Sequence, residues 1–214
     1  MKKVGEFWYP DSEERLHRNH SSLWQLENDI IPAMSSMRTV IQAGGAVGAW
    51  PITYAKHFDE VYTFEPNPAL IECFERNLVE YPENKDKIVL NTHGLWNEEC
   101  FGEMVEHQAN NMGAWYFKPE EDGSIAVHTI DSYALDNVDL IQLDIEGGEY
   151  EALLGAVETI KKWKPMLCIE LKMTQAFYGR TVEDVYCLLH KLGYETHSVF
   201  GRDQLWTSRL PQPA

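Results

Sequence analysis

The chain has 214 residues, 44% of them hydrophobic and 12% aromatic, which excludes a wholly disordered chain and suffices for one α/β domain with its own core. A formal charge of −16 repels phosphate backbones, and the densest basic run is only Lys161-Lys162 with Lys164, so general nucleic-acid binding is not expected. Neither a signal-length apolar stretch at the start nor a membrane-spanning window is present, and Cys73, Cys100, Cys168 and Cys187 lack zinc or CxxC spacing. A cytoplasmic, membrane-free protein is therefore expected, with Cys168 and Cys187 as buried free thiols.

In chain order, Phe7, Trp8 and Tyr9 lead into residues 11–31. These read as a helix capped at Asp11-Ser12, with Leu16, Leu23, Leu26 and Ile30 on its apolar face. This N-terminal segment, residues 1–37, either packs as an ordinary helix or lies over the mouth of the core that follows. Thr39–Ala43 is the first core strand. The turn Gly44-Gly45-Ala46-Val47-Gly48 leads into a helix over 49–57 that tolerates Pro51 in its first turn. Val61–Phe64 is the second strand, 68–80 a helix with Leu70, Ile71, Phe74 and Leu78 on one side, and Lys87–Asn91 the third strand.

Residues 94–128 lose this regularity. They read as an insertion with short strands near Gly102–Val105 and Ser124–Val127. Alternation resumes with a strand over 139–145, a Gly147-Gly148 turn, a helix over 149–163, a strand over 165–171 and a helix over 181–192. Two closing strands, 195–200 and 204–208, are joined so tightly that they must be antiparallel. The expected fold is a Rossmann-like α/β domain over 1–214. Its core, 38–214, is a mostly parallel sheet with an antiparallel last strand and helices on both faces.

The stretch from Thr39 to Pro68 is strand, glycine loop, helix, strand and acid, a unit suited to a nucleoside. Gly44, Gly45, Ala46 and Gly48 let the backbone approach a ligand, and the helix start offers N–H groups to it. Glu65, ending the second strand, can accept both hydroxyls of a ribose, with Pro66-Asn67-Pro68 stiffening the exit. These features alone fit a nicotinamide oxidoreductase nearly as well as a methyl donor, but no Tyr-x-x-x-Lys relay is present: Leu154 follows Tyr150 and Val182 follows Tyr178 at that spacing. Asp144 and Glu146 stand two apart at the end of a central strand, so both can point into one cleft. Glu149 is most simply a first-turn helix acid, Asp131 a turn cap, and Asn110-Asn111 a turn. His93, ending the third strand, faces either a bound nucleoside or solvent. With Glu170, the pair Asp144 and Glu146 could also ligate a divalent cation, though none is expected.

The two stretches FEPNP and LDIEGGE, together with TIDSY at 129–133 and the strand ending in Glu170, resemble the FkbM family of S-adenosylmethionine-dependent methyltransferases over roughly residues 38–171. The resemblance implies the seven-stranded class I methyltransferase sheet and O-methylation of a small-molecule or sugar hydroxyl. It places Gly44 and Gly48 near the methionyl part of the donor and Glu65 on the ribose. The region of Asn91 to Leu95, with His93 and Gly94, falls beside the adenine, and Asp144 and Glu146 at the transfer site, with Glu146 the first candidate base. A catalytically inactive module that keeps the donor pocket is the non-enzyme alternative. One departure stands out: the family's first strand normally ends in an acid, and here the place holds Gln42. If an acid there holds the donor's ammonium, Gln42→Asp should tighten donor binding.

Overall fold

A computed structural model describes residues 1–15 and 21–209. The chain opens with an antiparallel ribbon, β1 (Lys2–Val4) and β2 (Phe7–Tyr9). Fully buried Asn77 ties this ribbon down. It accepts from the Trp8 N–H (2.7 Å) and donates to the carbonyls of Trp8 (3.1 Å) and Val47 (2.8 Å). Of the helix expected over 11–31, residues 11–15 are not helical. They turn instead, where buried Glu13 accepts from the N–H of Arg15 and, across the chain in the insertion, from the N–H of Met112, each at 2.6 Å. The expected apolar position Leu16 lies outside the described residues. α1 (Ser21–Gln25) continues through a π turn, Leu26–Ile30, and a 3-10 turn, Ile31–Ala33.

β3 (Thr39–Ala43), α2 (Ala49–Tyr54), β4 (Glu60–Phe64), α3 (Pro68–Glu80), α4 (Pro82–Lys85) and β5 (Ile88–Asn91) follow in register with the sequence pattern, α2 being shorter than expected. The insertion folds as a separate four-stranded sheet. Its strands are β6 (Gly94–Leu95), β7 (Cys100–Val105), β8 (Tyr116–Pro119) and β9 (Ile125–His128), in the order β6-β9-β7-β8. The chain then returns to the core with β10 (Val138–Leu143), α5 (Glu149–Leu154), α6 (Val157–Trp163), β11 (Met166–Glu170), α7 (Val182–Lys191), β12 (Tyr194–Phe200) and β13 (Asp203–Ser208).

The main sheet runs β12-β13-β11-β10-β3-β4-β5, with β13 antiparallel to both neighbours and the other pairings parallel. β10 is buried along its whole length, as a central parallel strand covered on both faces must be. Consecutive residues feed opposite layers: Val40, Leu140 and Cys168 pack with α2 and α3, while Ile41, Ile141 and Leu167 pack with α5 and α7. Each such fully buried aliphatic contributes roughly 1.5–3 kcal/mol.

The helix expected over 149–163 is two helices. A Cβ on Gly155 would lie 2.1 Å from the Trp96 carbonyl, so the insertion presses on the chain there. Asp131 then caps the restarted helix, accepting from the N–H groups of Glu158 (3.0 Å) and Thr159 (2.8 Å). Cys168 is buried as expected, but Cys187 is exposed, because α7 buries Val185 and Leu189 and carries Cys187 between them on its outer side. Among the described residues no helix is long and apolar enough to cross a membrane. β3, β4, β10 and β11 all end at one edge, and their following loops gather there.

Candidate active site

A cleft of about 1400 Å³ opens at that edge. A pocket for one small ligand holds ~300–1,000 Å³, so this one has room for two side by side. Its first half is built by the loop after β3 and by the end of β4. Gly44, Gly45 and Ala46 line it, with Glu65, Pro66 and Asn67 opposite and Gly94 beyond. Gly44 has φ +85°, and a Cβ there would lie 2.0 Å from the Asp144 carbonyl. Glycine is required because the loops after β3 and β10 touch at this point. The loop's amide groups are already engaged. Gly44 and Gly45 N–H donate to the Phe64 carbonyl (3.0 Å each), Ala46 to Glu65, and Gly48 to Gly45 (2.8 Å). These four amides offer a ligand a shape rather than the expected free donors.

Glu65 is 5% exposed and pinned at both oxygens, Oε2 by the Ala46 N–H and Oε1 by the Asn67 N–H, each at 2.8 Å. Each oxygen retains capacity for one more hydrogen bond. Burial pushes its carboxyl up to about 7, against the pull of those two amides. Asn67 is also buried. Its Oδ1 accepts from Ala69 N–H (3.1 Å) at the start of α3, while Nδ2 has no partner among the described residues.

Three expected ligand residues lie elsewhere. Gln42 is 1% exposed beneath the loop, its Nε2 donating to the Gly44 carbonyl (2.9 Å) and its Oε1 accepting from Thr63 Oγ1 (2.5 Å). Gln42 therefore braces the turn from below and does not reach the cleft. Gly48, at φ +92°, starts α2 with the Phe74 ring where a Cβ would be. His93 packs its ring 4.6 Å from that of His128, outside the cleft wall; burial, then the neighbouring His128, lowers its pKa.

The second half has a charged floor. Asp144 and Glu146 both face it, though not along a strand as expected. β10 stops at Leu143, the Asp144 N–H bonds the Ala43 carbonyl (3.2 Å), and Glu146 sits at φ +54° in a turn. Glu149 sets that turn: 1% exposed, it accepts from the N–H groups of Ile145 (2.9 Å) and Gly147 (3.3 Å) and from Gln175 Nε2. It is thus a buried loop clamp rather than a solvated first-turn acid, and burial raises it to about 7.

Lys172, which sequence reasoning missed, reaches between three acids. Its Nζ lies 2.6 Å from Glu146 Oε1 and 3.5 Å from Asp144 Oδ1, and it also pairs with Glu170 Oε2. Burial and the Asp144 charge raise Glu170, which keeps its proton and bonds to Asp144. Asp144 loses hydration at the cleft floor, but the Glu170 bond and the Lys172 charge outweigh that and hold it below the ordinary range. Glu146 is raised by burial and by Asp144, with Lys172 opposing. The signal that could have flagged Lys172 is its place two residues after Glu170, on a chain that stays extended.

The walls of this half come from far apart in sequence. The N-terminal segment supplies Tyr9, Trp24 and Gln25, the insertion Trp115, and the β12–β13 turn Arg202 and Asp203. Gln25 Nε2 donates to Asp203 Oδ2 (3.3 Å), which joins the first and last of these. Trp8 bonds Glu80 and lies outside the cleft, and Tyr116 packs against Phe177 with ring centroids 4.4 Å apart. Asn111 lines the cleft, whereas Asn110 makes a turn at φ +57°.

The sheet order with its single antiparallel strand, and a cleft across the ends of β3, β4, β10 and β11, define a class I methyltransferase fold. The family model for the methyltransferase FkbM domain matches residues 43–196, about seven-tenths of the chain, and the protein belongs to that family of methyltransferases. A solved FkbM methyltransferase from Methylobacillus flagellatus KT is similar, with a TM-score of 0.56 and 20% identity over 80% of this chain and 43% of its own. This chain thus spans less than half of that relative. Precorrin 8w decarboxylase from Methanobacterium thermoautotrophicum aligns over 97% of this chain and 100% of its own, at TM-score 0.54 and 14% identity. A protein described as an rRNA methylase from Clostridium thermocellum aligns over 86% and 92%, at TM-score 0.52 and 12% identity. At such identities the likeness is one of fold. No curated protein matches the chain.

Proposed function

We propose that the protein transfers a methyl group from S-adenosylmethionine to a hydroxyl of a small-molecule or carbohydrate acceptor. The observation that carries this reading is Glu65, a buried carboxylate with one free acceptor position on each oxygen, set beside the glycine loop in the same cleft as Glu146. A ribose diol fits those two positions, and the unpartnered Nδ2 of Asn67 offers a donor close by. With Gln42 committed to the loop and Glu65 to the ribose, Asp144, whose backbone meets Gly44 and whose side chain faces the cleft, takes the role of facing the donor's ammonium. Bound there, S-adenosylmethionine supplies a methyl group already activated by its sulfonium.

The chain's own residues then align and deprotonate the acceptor. Positioning of this kind lowers a barrier by several kcal/mol, about 7–11 at its upper range. Glu146, raised in pKa yet held ionisable by Lys172, is the base that accepts the hydroxyl proton. The acidic floor and the overall charge of −16 disfavour phosphate-rich acceptors such as RNA. Family membership favours this reading over the nicotinamide alternative. Calorimetric titration with S-adenosylmethionine, S-adenosylhomocysteine and NAD tests it: the first two should bind and NAD should not. Binding without methyl transfer to any hydroxyl acceptor in a labelled cell extract would leave the inactive module instead.

A further inference from the structure

We propose that Lys172 is a tethered cation standing where a divalent metal would otherwise sit: its ammonium holds Asp144 and Glu146 in position and closes their cage to metal ions. The inference rests on the proposed active site but not on the identity of the donor.

The cage is a ligand set of the kind hard cations select. One oxygen each from Asp144, Glu146 and Glu170 lies within 4.8 Å of the others. An ammonium carries three N–H donors and no acceptor; here it donates to Glu146 Oε1 (2.6 Å) and, at 3.5 Å, to Asp144 Oδ1, and lies against Glu170 Oε2. The side chains of Lys172, Glu146 and Glu170 are only 14%, 12% and 12% exposed. A carboxylate so poorly hydrated needs a fixed counter-charge, and removing one partner of such a group is costly.

Backbone geometry delivers the lysine to this point. Leu171 N–H donates to the Arg202 carbonyl (2.9 Å), and Lys172 remains extended at φ −130°, ψ 171°. Glu170 and Lys172 therefore project from the same side of the chain. The Asp144 side chain is 45% exposed, so the charge Lys172 stabilises opens onto the cleft. A dication could enter only by displacing the ammonium from its place between Asp144, Glu146 and Glu170. Lys172 is accordingly a positioning residue, acting through Glu146 and Asp144.

The test compares the wild type with Lys172→Ala, Lys172→Gln and the conservative Lys172→Arg, titrating each with Mn²⁺ at pH 7.5. Bound metal is read from loss of the free-ion electron paramagnetic resonance signal and from the melting temperature. The wild type and Lys172→Arg should bind no Mn²⁺ up to ~1 mM, the weak end of oxygen-ligand sites. Lys172→Ala and Lys172→Gln should each bind one ion and melt higher with it, and adding Glu146→Gln to Lys172→Ala should abolish binding.

Folded neutral variants that bind no Mn²⁺ would overturn the proposal. So would wild-type binding that Glu146→Gln removes. Should neither neutral variant fold alone, folding with Mn²⁺ but not with sodium at matched ionic strength supports it, and failure to fold with Mn²⁺ overturns it. S-adenosylmethionine titrated against the wild type separates the readings: no donor binding would overturn the methyl-transfer function and leave the Mn²⁺ result standing.

Discussion

The two halves of the cleft are built in opposite ways. The half assigned to the donor comes almost entirely from residues 39–68, and its contacts are local: Gln42 to Gly44, Ala46 to Glu65, Asn67 to Glu65. The half assigned to the acceptor gathers the N-terminal segment, the insertion and the ends of β10 and β11, with the β12–β13 turn closing it. The first half carries one buried carboxylate held by backbone amides, the second a network of three acids around one lysine. The family match over 43–196 contains the whole glycine loop and Glu65. It leaves Tyr9, Trp24, Gln25 and Arg202 outside. On the proposed function, the donor half lies inside the family match, whereas the walls of the acceptor half lie partly outside it.

The sharpest way to break that division is Glu146→Gln. It should lower kcat by ~10²–10⁴ while leaving donor affinity within about twofold, as loss of a general base does. A comparable loss of donor affinity would mean that the two halves form one binding site. Gly44→Ala acts on the seam between them. The left-handed backbone alone costs ~1–2 kcal/mol, and the clash with the Asp144 carbonyl should bring the loss to about 2–4 kcal/mol in denaturant unfolding. A loss near zero would mean that the two loops are free to move apart.

Next in size is the pH dependence of Glu65. Its carboxyl rises from 4.5 to about 7 on folding, so the folded protein prefers the protonated form. That contribution is fully present below pH 4.5 and is lost as pH rises through 7, about 3 kcal/mol in all. Glu149, raised to about 7 as well, adds a second loss over the same window. Unfolding measured at pH 5 and pH 8 should show the decline, and Glu65→Gln should remove about half of it. Ribose hydroxyls favour the ionised form, so donor binding near pH 7 should release protons in the wild type and none in Glu65→Gln.

The contrast between the halves also explains what was legible in the sequence. The strands of the sheet, the antiparallel ending and Glu65 follow from patterns a few residues long. Apolar runs, glycine turns and a terminal acid are local signals. What escaped depends on contacts across the chain. Trp96 lies against Gly155 where the expected helix divides, Glu13 ties residues 11–15 to Met112 in the insertion, and Lys172 meets Asp144 from 28 residues away. Glu149 looked like a dipole-complementing acid because the first turn of a helix usually carries one. Only the fold shows its carboxylate turned inward onto Ile145 and Gly147.

The smallest effect expected, Gln42→Asp, tests the most local contact. An acid at this position was expected to tighten donor binding by facing its ammonium. In the structure the Gln42 amide spans from the Gly44 carbonyl to the Thr63 hydroxyl, with 1% of the residue exposed. Aspartate is one methylene shorter and has no N–H to give, so the Gly44 carbonyl loses its donor and a charge is buried without a cation. The turn that shapes the donor half should loosen. Stability should fall by about 1–2 kcal/mol and donor affinity by roughly tenfold, or about 1.4 kcal/mol. Gln42→Glu keeps the length and separates the two causes: it retains acceptance from Thr63 but still lacks the donor to Gly44, so it should fall between wild type and Gln42→Asp. Tighter donor binding in either variant would mean that the acid reaches the cleft. The donor half would then be read out by charge, like its neighbour, rather than by shape.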